Sequence, residues 1–500
     1  MSLINISNLT FAYEGSYDNI FTDVSFQIDT DWKLGFCGRN GRGKTTFLKL
    51  LMGQYEYIGT ITASVAFQYF PFVVEDTSRN TLDILTQIAP DAQLWMLQRE
   101  LSKLDVTADA LDRPFATLSN GERTKTLLAG LFLRENNFLL IDEPTNHLDM
   151  AARETVARYL NGKSGFILVS HDRAFLDECV DHILSINKTN NEIMGGDFST
   201  WWEQKKLRDA SELAENEKLK KDIKRLEAAA RQSRTWADDV ESAKKGKGTA
   251  AARKKGHVGM DTMAYNAEQS RRMQQRRKNL EYRQTAAIEE KSSLLKNLEE
   301  ADDLKIHPLE YHAQRLIYLK NVSVAYDGRE ILRDLDVTLE RGDRLALIGG
   351  NGSGKSSILR LICGEGVPHT GTVSIGSRLV LSYVPQDASF LTGDLREYAM
   401  SHGIDESLFK AILRKLDFAR VQFEKDMGDF SAGQKKKVLI ARSLCEQAHV
   451  YIWDEPLNYI DVLSRMQIES LISAFKPTML FVEHDRAFCN NVATKTIELT

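Results

Sequence analysis

Short apolar runs alternate with helical patterns along this chain, and the runs end in chemically distinctive residues. Trp32-Lys33-Leu34-Gly35-Phe36-Cys37 and Asp343-Arg344-Leu345-Ala346-Leu347-Ile348 each lead into a glycine-rich loop and then an apolar helical pattern. Phe138-Leu139-Leu140-Ile141 and Val450-Tyr451-Ile452-Trp453 end in acid pairs, and Phe166-Ile167-Leu168-Val169 ends at Ser170-His171. Continuous apolar strands of this kind are buried on both faces, as in parallel sheets covered by helices. The expected fold class is therefore α/β, with the functional groups at the carboxyl ends of the strands. Between Glu203 and Gln314 the pattern changes. Leu219, Ile223, Leu226 and Ala230 recur at 4-3-4 spacing, and Leu280, Ala287 and Leu294 recur every seven residues, with Ile288, Leu295 and Leu298 beside them. That segment predicts two antiparallel helices forming a hairpin linker. No window approaches the roughly 18 apolar residues of a membrane helix.

The chain repeats itself. Tyr13, Lys44, Ser119, Asp142, Asp149 and His171 recur as Tyr326, Lys355, Ser431, Asp454, Asp461 and His484, at offsets of 311 to 313 residues. Two copies of one domain are expected, over 2–202 and 315–500, with the unrepeated linker over 203–314 between them.

Each copy carries phosphate chemistry. Gly38-Arg39-Asn40-Gly41-Arg42-Gly43-Lys44-Thr45 and Gly349-Gly350-Asn351-Gly352-Ser353-Gly354-Lys355-Ser356 both match the P-loop pattern G-x-x-x-x-G-K-[ST], followed by Thr46 and Ser357. The glycines let backbone N–H groups wrap phosphate oxygens, and the next helix adds its positive end. Lys44 and Lys355 are expected on the terminal phosphates of ATP, and Thr45 and Ser356 on Mg²⁺. Asp142 and Asp454 end their strands 98 and 99 residues after those lysines and are expected to hold Mg²⁺. Glu143 and Glu455 are placed to orient or deprotonate the attacking water. His171 and His484, in Ser-His-Asp-Arg and Glu-His-Asp-Arg, are expected to sense the γ-phosphate. Gln68 and Gln386 lie between loop and acid strand, where an amide could join the Mg²⁺ and water shell.

Composition narrows the class. Hydrophobic content of 42% and charged content of 27% describe globular material. The five scattered cysteines form no CxxC pair and suit a reducing cytosol. The first residues show no secretion signal, so a cytoplasmic location is expected. The net charge of −5 hides an asymmetry: Glu203–Glu300 carries 24 Lys and Arg against 17 Asp and Glu. Within it, Lys244–Met260 holds six basic residues (Lys244, Lys245, Lys247, Arg253, Lys254 and Lys255), no acids and four glycines. A flexible basic tip on a helical hairpin is suited to threading among RNA phosphates, read through backbone and shape.

Leu118-Ser119-Asn120-Gly121-Glu122 and Phe430-Ser431-Ala432-Gly433-Gln434 resemble the LSGGQ signature of ABC ATPases. The resemblance implies tandem P-loop ABC nucleotide-binding domains that close head to tail, each signature completing the other copy's site. Ser431 and Gly433 would then face ATP on Lys44, and Ser119 and Gly121 would face ATP on Lys355. Tyr13 and Tyr326 match the aromatic that stacks on adenine, and Asn146–Asp149 and Asn458–Asp461 match the D-loop. Asn120, Ala432 and Phe430 depart from the signature consensus. The full set of motifs implies two hydrolytic sites.

Tandem cassettes without a membrane segment, joined by a basic helical linker, are similar to ABC-F ATPases. The stretch from Gln68 to Ser119 is only six residues longer than that from Gln386 to Ser431, so no large arm insertion is expected. That anatomy, with Asp31-Trp32-Lys33-Leu34-Gly35-Phe36, resembles Lsa/Vga-type antibiotic-resistance members. The resemblance implies a monomer whose paired cassettes close on the 70S ribosome at the E site, next to rRNA and the P-site tRNA. The linker tip would then displace lincosamides, pleuromutilins or streptogramin A. A housekeeping ABC-F translation factor and the ATPase subunit of a transporter are the competing readings.

Overall fold

A computed structural model describes residues 2–14, 19–134, 136–146, 148–186, 191–251, 308–326 and 328–499. The chain forms two compact units, Met1–Trp201 together with Asp303–Thr500, and Trp202–Asp302. The first unit holds both copies of the repeat.

In the first copy the strands are β1 (Leu3–Phe11), β2 (Phe21–Asp29), β3 (Lys33–Cys37), β4 (Ile58–Thr62), β5 (Ala66–Phe70), β6 (Asn137–Asp142), β7 (Phe166–Val169), β8 (His182–Ile186) and β9 (Asn191–Gly195). In the second they are β10 (Arg315–Tyr326), β11 (Arg329–Glu340), β12 (Arg344–Gly349), β13 (His369–Ile375), β14 (Leu381–Val384), β15 (Val450–Asp454), β16 (Met479–Val482) and β17 (Lys495–Leu499). The expected parallel sheets run in the order β5-β6-β7-β3-β8-β9 and β14-β15-β16-β12-β17. The pairings are parallel throughout, save the β8–β9 hairpin.

Each copy adds a three-stranded antiparallel sheet, β2-β1-β4 and β11-β10-β13. These strands alternate: in β1, Ile4, Ile6, Leu9 and Phe11 are buried while their neighbours face outward. A one-faced pattern suits a sheet with a solvent side. The apolar face of β1–β2 packs on one side of the parallel sheet with the helix Lys44–Leu51, around Phe21, Phe36, Phe47 and Phe138. The second copy repeats this layer with Leu319, Val324, Leu347 and Ile358. Its other sheet face is covered by helices Ala432–Cys445, Val462–Phe475 and Arg486–Val492.

In the linker, one helix runs from Phe198 to Ala251. It continues through Lys244, Lys245 and Lys247, where a flexible tip was expected, so that half of the expected tip is helix. Gly246 and Gly248 each cost that helix about 1 kcal/mol relative to alanine. Arg253, Lys254 and Lys255, and the second helix expected around Leu280–Leu298, lie outside the described residues. Among the described residues no helix is long and apolar enough to cross a membrane.

Candidate active site

Strand order assembles the site. In the sequence β6-β7-β3, three neighbouring strands end side by side, which brings Asp142, His171 and the loop Gly38–Thr45 together although they span more than a hundred residues. The order β15-β16-β12 does the same for Asp454, His484 and Gly349–Ser356. Gly43 and Gly354 cap the following helices at φ 82° and 89°. A Cβ on Gly43 would also come within 2.5 Å of Ile20 and 2.8 Å of Phe21, so both conformation and space demand glycine there.

Lys44 Nζ donates to Gly38 O at 2.8 Å and Arg39 O at 3.2 Å, and Lys355 Nζ to Gly349 O and Gly350 O at 2.8 and 2.7 Å. Both lysines are buried, and burial lowers both ammonium pKa values against the pull of nearby carboxylates. Thr45 Oγ1 donates to Asp142 Oδ2 at 2.8 Å, and Ser356 hydrogen-bonds Asp454, whose other oxygen, Oδ1, is buried without a partner. A hydroxyl beside a carboxylate with a spare buried oxygen is a hard-oxygen donor set of the kind Mg²⁺ takes. Tyr13 and Tyr326 stand over the loop helices, with hydroxyls bonded to Thr46 Oγ1 at 2.8 Å and Ser357 Oγ at 3.2 Å, and their rings are partly exposed.

The two glutamates share a backbone and differ in electrostatics. Glu143 and Glu455 both adopt positive φ, 52° and 46°, and each faces its histidine, at 3.2 Å (His171) and 3.4 Å (His484). Burial and the adjoining Asp142 push the Glu143 carboxyl up to about 8, against the fields of Lys44 and Arg465. Burial would raise Glu455 too, but His484 and the side-chain amides of Gln386 (2.9 Å) and Asn458 (2.7 Å) draw it down to about 2. Burial, Lys44 and Arg465 keep His171 neutral by lowering its pKa.

Gln68 is corrected. In β5, Tyr69 pairs with Leu140, two residues before Asp142; in β14, Tyr383 pairs with Ile452, two residues before Asp454. The register sets Gln68 opposite Ser382 and gives the position of Gln386 to Phe72. Gln68 instead accepts a hydrogen bond from Arg134 at 2.8 Å. The shared Tyr-x-Pro of Tyr69-Phe70-Pro71 and Tyr383-Val384-Pro385 carried this alignment in the sequence. Tyr69, unsuspected from sequence, donates to Asp142 Oδ2 at 2.9 Å.

Both signature serines cap a helix through a reciprocal box. Ser119 Oγ accepts from Glu122 N at 3.2 Å while Ser119 N donates to Glu122 Oε2 at 2.8 Å; Ser431 and Gln434 do the same at 3.3 and 2.9 Å. The S-x-x-E/Q spacing thus starts the helices Asn120–Phe132 and Ala432–Cys445, whose positive ends suit an anion.

The copies meet at these ends. Asn40 Nδ2 donates to Tyr459 O at 2.8 Å, and Arg39 and Arg42 pair with Asp417 at 3.4 and 3.9 Å, all across the two copies. Arg153, buried, donates to Asp172 Oδ2 at 2.8 Å, to Leu148 O at 3.1 Å and to His484 O of the other copy at 3.0 Å. At the second loop a cavity of about 950 Å³ is lined by Lys355, Gln386, Glu455 and His484 from one side and by Asn120, Leu148 and Arg153 from the other.

The ABC transporter family model matches residues 21–146 and 332–458, together just over half of the chain. The chain belongs to that family and is an ABC-type ATPase, and within it the likeness is to ABC-F proteins. The putative ATP-binding protein YdiF of Bacillus subtilis (strain 168) is 26% identical over 100% of this chain and 80% of its own length. The energy-dependent translational throttle protein EttA of Haemophilus influenzae is 26% identical over 96% and 89%. The ribosome protection protein VmlR of Bacillus subtilis (strain 168) is 25% identical over 100% and 87%. Among solved structures, an RNase-L inhibitor aligns with a TM-score of 0.62 at 18% identity over 98% of this chain and 87% of that one, a likeness of fold.

Proposed function

We propose that the chain is a cytoplasmic, Mg²⁺-dependent ATP clamp that binds the ribosomal E site when its cassettes close and lets go after hydrolysis. The observation that carries this reading is the facing of the copies at both phosphate loops, each loop meeting the other copy's D-loop or signature helix. Closure on ATP and opening after its hydrolysis would convert chemistry into a change of the clamp. Thr45 and Asp142, and Ser356, Asp454 and Gln386, would hold the Mg²⁺, which supplies charge neutralisation on the terminal phosphates. Glu143 and Glu455 would orient water, and the neutral His171 and its counterpart His484 would contact the γ-phosphate. The likeness to a ribosome protection protein supports the ribosome as partner. In this reading the linker reaches toward the peptidyl-transferase centre, beside the P-site tRNA, and displaces lincosamide, pleuromutilin or streptogramin A drugs.

The double variant Glu143→Gln/Glu455→Gln should stay on 70S ribosomes in ATP. Cosedimentation no greater than that of the unaltered chain would refute the clamp. The likeness to a translational throttle protein favours a second reading, a general translation factor without a drug role. Inhibitory concentrations in a sensitive host, with and without the gene, separate the two: a rise for the three drug classes supports displacement, and no rise supports the throttle.

A further inference from the structure

The two cassettes act as controls for one another, and two positions differ in kind. Counted from the signature serines, Thr124 stands where Lys436 stands; counted from the strand histidines, Ser170 stands where Glu483 stands. A lysine and a carboxylate, each 3% exposed, thus enter the second cassette together. A lone buried charge is costly, and opposite charges entering together compensate one another.

Their hydrogen bonds reach the second site from two sides. Lys436 Nζ donates to Pro385 O at 3.0 Å and to Glu455 O at 3.1 Å, the carbonyls just before Gln386 and of the glutamate itself. Glu483 Oε1 accepts from Leu457 N at 2.7 Å, and Oε2 from His484 N at 3.2 Å. In the first cassette, Ser170 shares only a 3.3 Å hydroxyl contact with Thr145 and accepts from Asp172 N at 3.2 Å. Lys436 also lines the cavity at the second loop.

We propose that Lys436 and Glu483, two buried opposite charges that hold the backbone on separate sides of the second ATP site, together position Gln386, Glu455 and His484 there, so that the two sites run on different chemistry. The inference rests on reading that site as hydrolytic. Burial draws the Lys436 ammonium down to about 8 against the fields of Glu483, Asp454, Glu455 and Asp387, and burial raises the Glu483 carboxyl against the field of Arg465. The Lys436 charge is therefore present below about pH 8 and lost above it.

The test uses the full chain carrying Glu143→Gln, so that turnover reports the second site, with ATPase rates followed from about pH 6 to 10. Lys436→Thr is expected to lower kcat about tenfold with KM within about twofold, the split that marks a transition-state effect. Lys436→Arg should restore kcat and abolish the fall in rate above about pH 8, because arginine stays charged. Glu483→Ser should lower kcat as well, and Lys436→Thr/Glu483→Ser should recover part of the loss. A kcat for Lys436→Thr within about twofold of its parent, or an alkaline fall unchanged by arginine, overturns the proposal. No turnover in the Glu143→Gln parent would instead overturn the reading of the second site as hydrolytic.

Discussion

A Cβ placed on Gly433 would lie 2.5 Å from the carbonyl oxygen of Tyr459, the same oxygen that accepts from Asn40 of the other cassette. At the other interface, the matching Gly121 has only Leu148 Cδ2 nearby, at 3.7 Å. The two signatures are alike in sequence and unlike in clearance. Gly433→Ala is therefore expected to push the Tyr459 backbone away from Asn40 and weaken ATP use at the first site at least tenfold, about 1.4 kcal/mol. Gly121→Ala should fall within about twofold of the unaltered chain. Steady-state ATPase in the Glu455→Gln and Glu143→Gln backgrounds reads each effect.

Asp417 pairs with Arg39 and Arg42 of the opposite phosphate loop, whereas the second loop has Gly350 and Ser353 at those positions. The counterpart of Asp417, Asp105, accepts from Thr155 within its own cassette. Asp417→Asn should weaken nucleotide binding at the first loop roughly threefold to tenfold, since a partly exposed pair contributes about 1 kcal/mol. Titration of a fluorescent ATP analogue into Lys44- and Lys355-disabled chains would separate the loops, and equal losses at both would contradict this account.

The glutamates predict opposite pH behaviour. Glu143, pushed up to about 8, is protonated at neutral pH and gains its charge as pH rises; Glu455, drawn down to about 2, is charged throughout the working range. Turnover by the first site, measured with Glu455→Gln, should climb through about pH 8. Turnover by the second, measured with Glu143→Gln, should stay level on the acid side down to about pH 5. Parallel profiles would show that the two environments are equivalent during turnover.

Gln386 bonds Glu455, and Gln68 bonds Arg134. Gln386→Ala should lower second-site kcat by about tenfold, and Gln68→Ala should change turnover at either site by less than about twofold. Phe72→Gln, which installs an amide where the first cassette has a ring, is the informative third variant, expected to raise first-site kcat.

Arg153 joins a D-loop carbonyl, Asp172 and the carbonyl of His484 in the other cassette. Removing one partner of a buried pair leaves the other charge uncompensated, at about 3–5 kcal/mol. Arg153→Ala should thus lower the denaturant midpoint of the full chain substantially, and Arg153→Lys, which keeps charge but not the fork, should fall between.

The sequence alone determined that there are two α/β copies, where their phosphate loops lie and which strands carry Asp142, Glu143, His171 and their partners. Those features are local: a glycine loop after an apolar run and an acid at a strand end, each specified by a few neighbouring residues. The alignment of Gln386 with Phe72 was present in Tyr-x-Pro and needed strand register to be seen, because a shift of four residues changes which side chain reaches the site. Only the tertiary structure decided how the copies differ. Asp417 beside Arg39, Tyr459 under Asn40, and Lys436 on the carbonyl of Glu455 are contacts between residues that motif spacing does not relate. Their strength comes from burial, a property of the packed chain.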